Sequence, residues 1–98
     1  DIPRSLLKNP DDYFALKVKG DSMIDECIMD GDYVVIRRQH HASNGQTVVA
    51  LFENDATIKK YYRRNEKIEL HPANPRYEII KVKQSSEFKI LGVIHEAH

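Results

Sequence analysis

The chain has 98 residues, 41% of them hydrophobic and 31% charged, with four glycines and four prolines; this is the size of one domain with a modest core and little sign of disorder, which excludes a two-domain reading of these residues. Fifteen basic and fifteen acidic residues cancel, removing the broad positive field expected of a free-standing nucleic-acid binder. Apolar runs stop at about four or five residues, against the roughly 20 that span a bilayer, and the single Cys27 forbids an internal disulfide and makes a reducing, cytoplasmic setting the expectation.

In chain order the prevailing period is two. Phe14 to Lys19 alternates apolar and charged residues as a half-buried strand does. Met23 to Ile28 is the best helical stretch, and it is short. Asp30-Gly31-Asp32 predicts a turn, with Tyr33-Val34-Val35-Ile36 a buried strand that ends at Arg37-Arg38. Gln39 to Gln46 reads as a polar loop. Thr47 to Phe52 and Ala56 to Tyr62 flank Glu53-Asn54-Asp55 as a hairpin, and Lys67 to Leu70 is a further alternating strand. Pro72 and Pro75 bracket a turn, Tyr77 to Val82 is expected to be extended, and Glu87 to Ile94 closes the chain as a long apolar strand. The expected fold is mostly β, with seven or eight short strands and little helix.

Two readings of Ser22 stand on the residues alone. Followed by Asp25 three positions on, it fits an N-cap whose hydroxyl accepts a backbone N–H. It also fits a nucleophile at a tight strand-to-turn junction, where Gly20 admits a substrate backbone and neighbouring N–H groups face a developing oxyanion. That second reading needs a base. His40 and His41 lie in the polar loop, and His71, His95 and His98 have no spacing to an aspartate that singles one out. Lys59 is another route, because a desolvated lysine can be neutral and take a proton from serine. Its pKa must then fall from about 10.4 to about 7–8, roughly 4 kcal/mol against the charged form. Lys60, Arg63 and Arg64 add like charge, and β-branched Thr57 and Ile58 suit a strand entering the core. Lys59-Lys60 also has the pattern of a solvated strand end, and Lys59 to Arg64, basic with interleaved tyrosines, that of a nucleic-acid-binding segment. No metal or cofactor is expected: His95-x-x-His98 sits at the chain end, and Cys27 has no companion at ligand spacing and suits a small packing residue.

Four runs in a fixed order carry more. Val18-Lys19-Gly20-Asp21-Ser22-Met23-Ile24-Asp25, Ile28 to Ile36, Asn44-Gly45-Gln46-Thr47-Val48-Val49-Ala50 and Ala56-Thr57-Ile58-Lys59-Lys60 together resemble the C-terminal protease domain of the LexA repressor family. Glu69-Leu70-His71-Pro72-Ala73-Asn74-Pro75 and Ile90 to Ile94 extend the resemblance over nearly the whole chain. It implies a compact domain of short, strongly twisted antiparallel strands of the LexA and signal-peptidase type, spanning residues 1–98. It also implies a Ser/Lys dyad with Ser22 as nucleophile and Lys59 as general base, backbone N–H groups of Asp21 and Ser22 as the oxyanion hole, and no cofactor or metal. Parity agrees with one inward lysine, since adjacent strand residues face opposite ways.

The implied activity is autoproteolysis of an Ala-Gly bond, stimulated by the RecA filament on single-stranded DNA, which inactivates an SOS repressor after DNA damage. The implied assembly is a homodimer, for which the strand around Ile90 to Ile94 is the expected pairing edge. Operator DNA would be read only through an N-terminal domain, and no membrane is involved. None of the six alanines precedes a glycine, so the expectation is a catalytic core without its own cleavage segment or DNA-reading half. UmuD-like mutagenesis proteins and phage repressors of the same protease class are the alternatives, as is a dimerisation and RecA-binding module without activity in this fragment. The run Pro72-Ala73-Asn74-Pro75 tilts the resemblance towards LexA.

Overall fold

The computed structural model describes residues 12–83 and 87–97. Among them, seven strands form one antiparallel sheet: β1 (Tyr13–Lys17), β2 (Tyr33–Arg38), β3 (Thr47–Phe52), β4 (Asp55–Arg64), β5 (Lys67–His71), β6 (Ile80–Val82) and β7 (Phe88–Ala97). The one helical element described is a 3₁₀ turn at Ile24–Glu26. The mostly-β expectation holds, with the helical stretch contracted to that single turn. No helix among the described residues is long and apolar enough to cross a membrane.

Neighbouring strands follow the order β1-β2-β7-β3-β4-β5-β6. The β3–β4 and β4–β5 hairpins close through residue pairs with left-handed backbones, Glu53 and Asn54 (φ 48° and 73°) and Asn65 and Glu66 (φ 50° and 65°). Paired positive φ values give the turn a twist that matches the strands it joins. Asp55, expected in the first of these turns, already belongs to β4.

The placement of β7 corrects one expectation. It lies inside the sheet, paired with β2 over Gly92 to Ala97 and with β3 over Phe88 to Val93, so Ile90 to Ile94 is not a sheet edge; the outermost strands are β1 and β6. Alternating apolar residues show that a strand is half-buried, but they do not say which strands flank it. The register jumps once against each neighbour, from Val35↔Glu96 to Ile36↔Ile94 and from Val49↔Gly92 to Ala50↔Ile90. Each jump gives β7 one extra residue, a bulge that bends the strand and raises its twist.

Two apolar layers result. One gathers Val18, Met23, Ile28, Val34, Ile36 and Val49; the other gathers Val48, Ala50, Tyr61, Leu70, Ile90 and Val93. The consecutive valines Val48 and Val49 contribute to different layers, as the two-residue strand period requires. Met23 and Ile28 bring the turn after β1 into the first layer.

Candidate active site

The turn that carries Ser22 is gripped on its N-terminal side by the Asp30–Asp32 loop. The Val18 N–H donates to Asp32 O and the Gly31 N–H to Val18 O, both at 2.8 Å, and the Gly20 N–H donates to Asp30 Oδ1 at 2.8 Å. Gly20 has φ +84°, a left-handed conformation that other residues adopt only with strain. The chain therefore reverses within Gly20-Asp21-Ser22 and buries Met23, 2% exposed, as a plug beneath the turn. The 3₁₀ turn that follows ends at Cys27, left-handed at φ 60° and exposed. Met23 holds the N-cap position and no side chain caps the turn, so the N-cap reading of Ser22 is not realised.

Ser22 Oγ instead faces Lys59. The Lys59 Nζ donates to Ser22 Oγ at 3.0 Å, to Thr57 Oγ1 at 2.6 Å and to Ile58 O at 3.1 Å. Lys59 is only 7% exposed, and its hydrogen-bond partners are all neutral. Burial disfavours the ammonium and holds the Lys59 pKa below the ordinary lysine value. A neutral amine keeps two N–H donors, enough for Thr57 and Ile58, and gains a lone pair for the Ser22 proton. Lys60 behaves oppositely: half-exposed, it pairs with Glu26 of the 3₁₀ turn, and that carboxylate raises its pKa. With Lys59 inward, Lys60 paired and Tyr61 5% exposed, the segment to Arg64 forms no continuous basic and aromatic face.

Ser22 and Lys59 border a cavity of about 490 Å³ whose lining includes Leu16, Val49, Ile58 and Tyr77 and no histidine. None of the four described histidines lines this cavity, and three of them are engaged elsewhere. His71 lies 2.9 Å from Glu69 Oε1 and against the Tyr62 ring; His40 Nδ1 lies 3.3 Å from Ile90 O; the His95 ring meets Tyr13 edge-on. His98 lies outside the described residues. Among the described residues, no group of three or more His, Cys, Asp and Glu is arranged to hold a metal ion.

A third segment, residues 73–77, braces the Ser22 turn and brings Tyr77 to the cavity lining, and sequence reasoning missed its role. The Ala73 N–H donates to Ser22 O and the Asp25 N–H to Ala73 O, each at 2.7 Å. Asn74 Nδ2 donates to Asp21 O at 2.8 Å, while the Arg76 N–H donates to Asn74 Oδ1 at 3.0 Å. The Tyr77 hydroxyl donates to Asp21 Oδ1 at 2.5 Å, and that bond to a carboxylate raises the Tyr77 pKa. The sequence signals were the turn bracketed by Pro72 and Pro75 and the place of that run in the family resemblance, which identified a turn but not its neighbour.

Residues 1–95 match the family model described as Peptidase S24-like. The chain is 55% identical to a LexA repressor of Syntrophotalea carbinolica over 85% of its own length and 41% of that protein's. It is 48% identical to a LexA repressor of Syntrophobacter fumaroxidans over 96% of its length and 45% of the relative's, and 45% identical to one of Thermotoga maritima over 96% and 47%. The chain thus spans less than half the length of these relatives.

Proposed function

The chain belongs to the Peptidase S24-like family, and we propose that it is the self-cleaving protease domain of a LexA-like SOS transcriptional repressor, with Ser22 and Lys59 as its dyad. The observation that carries this reading is the 3.0 Å hydrogen bond between Lys59 Nζ and Ser22 Oγ at a lysine 7% exposed. A serine needs a base to become a nucleophile, and a desolvated lysine is one that works near neutral pH.

In the proposed reaction neutral Lys59 takes the Ser22 hydroxyl proton as Oγ attacks the carbonyl carbon of an Ala-Gly bond. The N–H groups of Asp21 and Ser22 hold the oxyanion. The tetrahedral intermediate collapses as the Lys59 ammonium returns the proton to the departing amine, leaving an acyl ester on Ser22. Water then attacks the ester with Lys59 again accepting the proton, and Ser22 is released. The longer protein would carry the cleavage segment and an operator-reading domain N-terminal to this one, assemble as a homodimer, and respond to the RecA filament on single-stranded DNA.

The test is self-cleavage of the full-length protein, wild type against Ser22→Ala and Lys59→Ala. Both substitutions are expected to abolish cleavage; undiminished cleavage in either overturns the dyad. An Ala-Gly peptide supplied in trans from about pH 6 to about pH 11 should be cut faster as Lys59 deprotonates, with a midpoint below the free-lysine value of about 10.4. A flat profile removes Lys59 as the base.

A further inference from the structure

Among the described residues two polar side chains are buried, Lys59 and Asn74, at 7% and 8% exposure. Both reach the same turn. A buried amide is costly unless bonded on both ends, and Asn74 is: Nδ2 meets the Asp21 carbonyl and Oδ1 meets the Arg76 N–H. The Arg76 N–H can face only an acceptor, which fixes the amide's orientation and leaves Nδ2 for Asp21. Aspartate lacks that donor when ionised, and an apolar residue satisfies neither end.

The peptide group is planar, and in its trans form the carbonyl and the following N–H point in opposite directions. A bond to Asp21 O therefore opposes rotation of the whole Asp21–Ser22 plane, including the Ser22 N–H at its other side. The next plane is held the same way, by the Ala73 N–H on Ser22 O. Resting on the dyad reading above, we propose that Asn74 is a positioning residue of the reaction. Its amide locks the Asp21–Ser22 peptide so that the Ser22 N–H stays aimed at the oxyanion. Asn74 touches neither the nucleophile's hydroxyl nor Lys59; it acts through the backbone that both the attack and the oxyanion share.

The test uses the full-length protein with Asn74→Ala and Asn74→Asp, following the first-order rate of self-cleavage against pH. Removing one oxyanion donor from a protease lowers its rate about 10²–10³-fold, and a misaimed donor should lose about 10–100-fold. In Asn74→Ala the high-pH plateau is expected to fall by that factor while the pH midpoint stays, because Thr57 and Ile58 still hold Lys59. Inhibition by a peptide boronate, which forms a tetrahedral adduct on Ser22, should weaken by a similar factor, with binding of an uncleaved peptide unchanged. A plateau equal to wild type overturns the proposal. So does a midpoint moved to that of free lysine with peptide binding lost in parallel, which is the signature of a merely structural residue. Should the alanine variant not fold, Asn74→Asp, which keeps the acceptor for Arg76, decides on the plateau alone. Cleavage that survives Ser22→Ala overturns the dyad reading instead, and so separates the two failures.

Discussion

At the scale of single residues, burial of Lys59 ties activity to stability. A lysine whose folded-state pKa lies below its unfolded value binds fewer protons folded than unfolded, so stability rises with pH between those two values. The full penalty is present below the folded pKa and disappears as pH approaches about 10.4. Replacing Lys59 with Met removes the titration. Urea unfolding of wild type and Lys59→Met, measured from about pH 7 to about pH 10, should show the stability difference moving in favour of wild type as pH rises. A difference that stays constant over that range means that Lys59 titrates in the folded protein as it does in the unfolded chain. Much of this site was legible beforehand. Ser22 and Lys59 stand in motifs whose resemblance to the LexA family implies their pairing, and strand parity allows one inward lysine. Asn74 was not legible, since an asparagine in a proline-bracketed turn has no period and its partner Asp21 lies 53 positions away.

At the scale of elements, β7 meets β2 so closely at Gly92 that a side chain does not fit. A Cβ there would lie 2.4 Å from both Arg37 O and Ile36 Cγ2, and one of those contacts is backbone inside the sheet. Gly92→Ala is therefore expected to destabilise by about 1–3 kcal/mol, the usual range for overpacking, read as a lower urea midpoint with unchanged slope. An unaltered midpoint would mean that the bulged strand shifts without strain. The strands themselves were legible because their apolar residues alternate, but their ends were not. Tyr77 to Val82 was expected to be extended throughout, yet β6 covers only Ile80–Val82. Tyr77 is drawn instead into the turn beside Ser22 through Asp21 and through its N–H bond to Asn74 O at 3.1 Å. Tertiary bonds to another segment decide where that strand begins, and local pattern carries no record of them.

At the scale of the whole molecule, the last strand in the chain lies in the middle of the sheet. On one side of β7 are β1 and β2, which frame the Ser22 turn; on the other are β3 to β6, which carry Lys59 and lead into and out of the Asn74 turn. β7 is the strand hydrogen-bonded to both groups, through β2 and β3. It also gives Ile90 and Val93 to one apolar layer and packs Leu91 and Ile94 against the other. The two halves also meet across the Ser22 turn, in the Lys59–Ser22, Asn74–Asp21, Tyr77–Asp21 and Lys60–Glu26 contacts and the backbone bonds of Ala73 to Ser22 and Asp25, and in the first apolar layer, where Val49 and Ile58 join Val18, Met23 and Ile36. Single polar bonds of this kind contribute about 1 kcal/mol each, and the apolar contacts of Val49 and Ile58 come from strands that the sheet joins to β2 only through β7, too little together to replace a central strand with its ladders and buried side chains. The dyad should therefore form only when the final strand is in place. A chain ending at residue 87 is expected to lose both its β-sheet dichroism and the reaction of Ser22 with a fluorophosphonate, and a peptide of residues 88–98 added in excess should restore part of that labelling. Labelling retained by the shortened chain would show that the Ser22 turn and β4 find each other without β7, and that the sheet's centre is not what assembles the site.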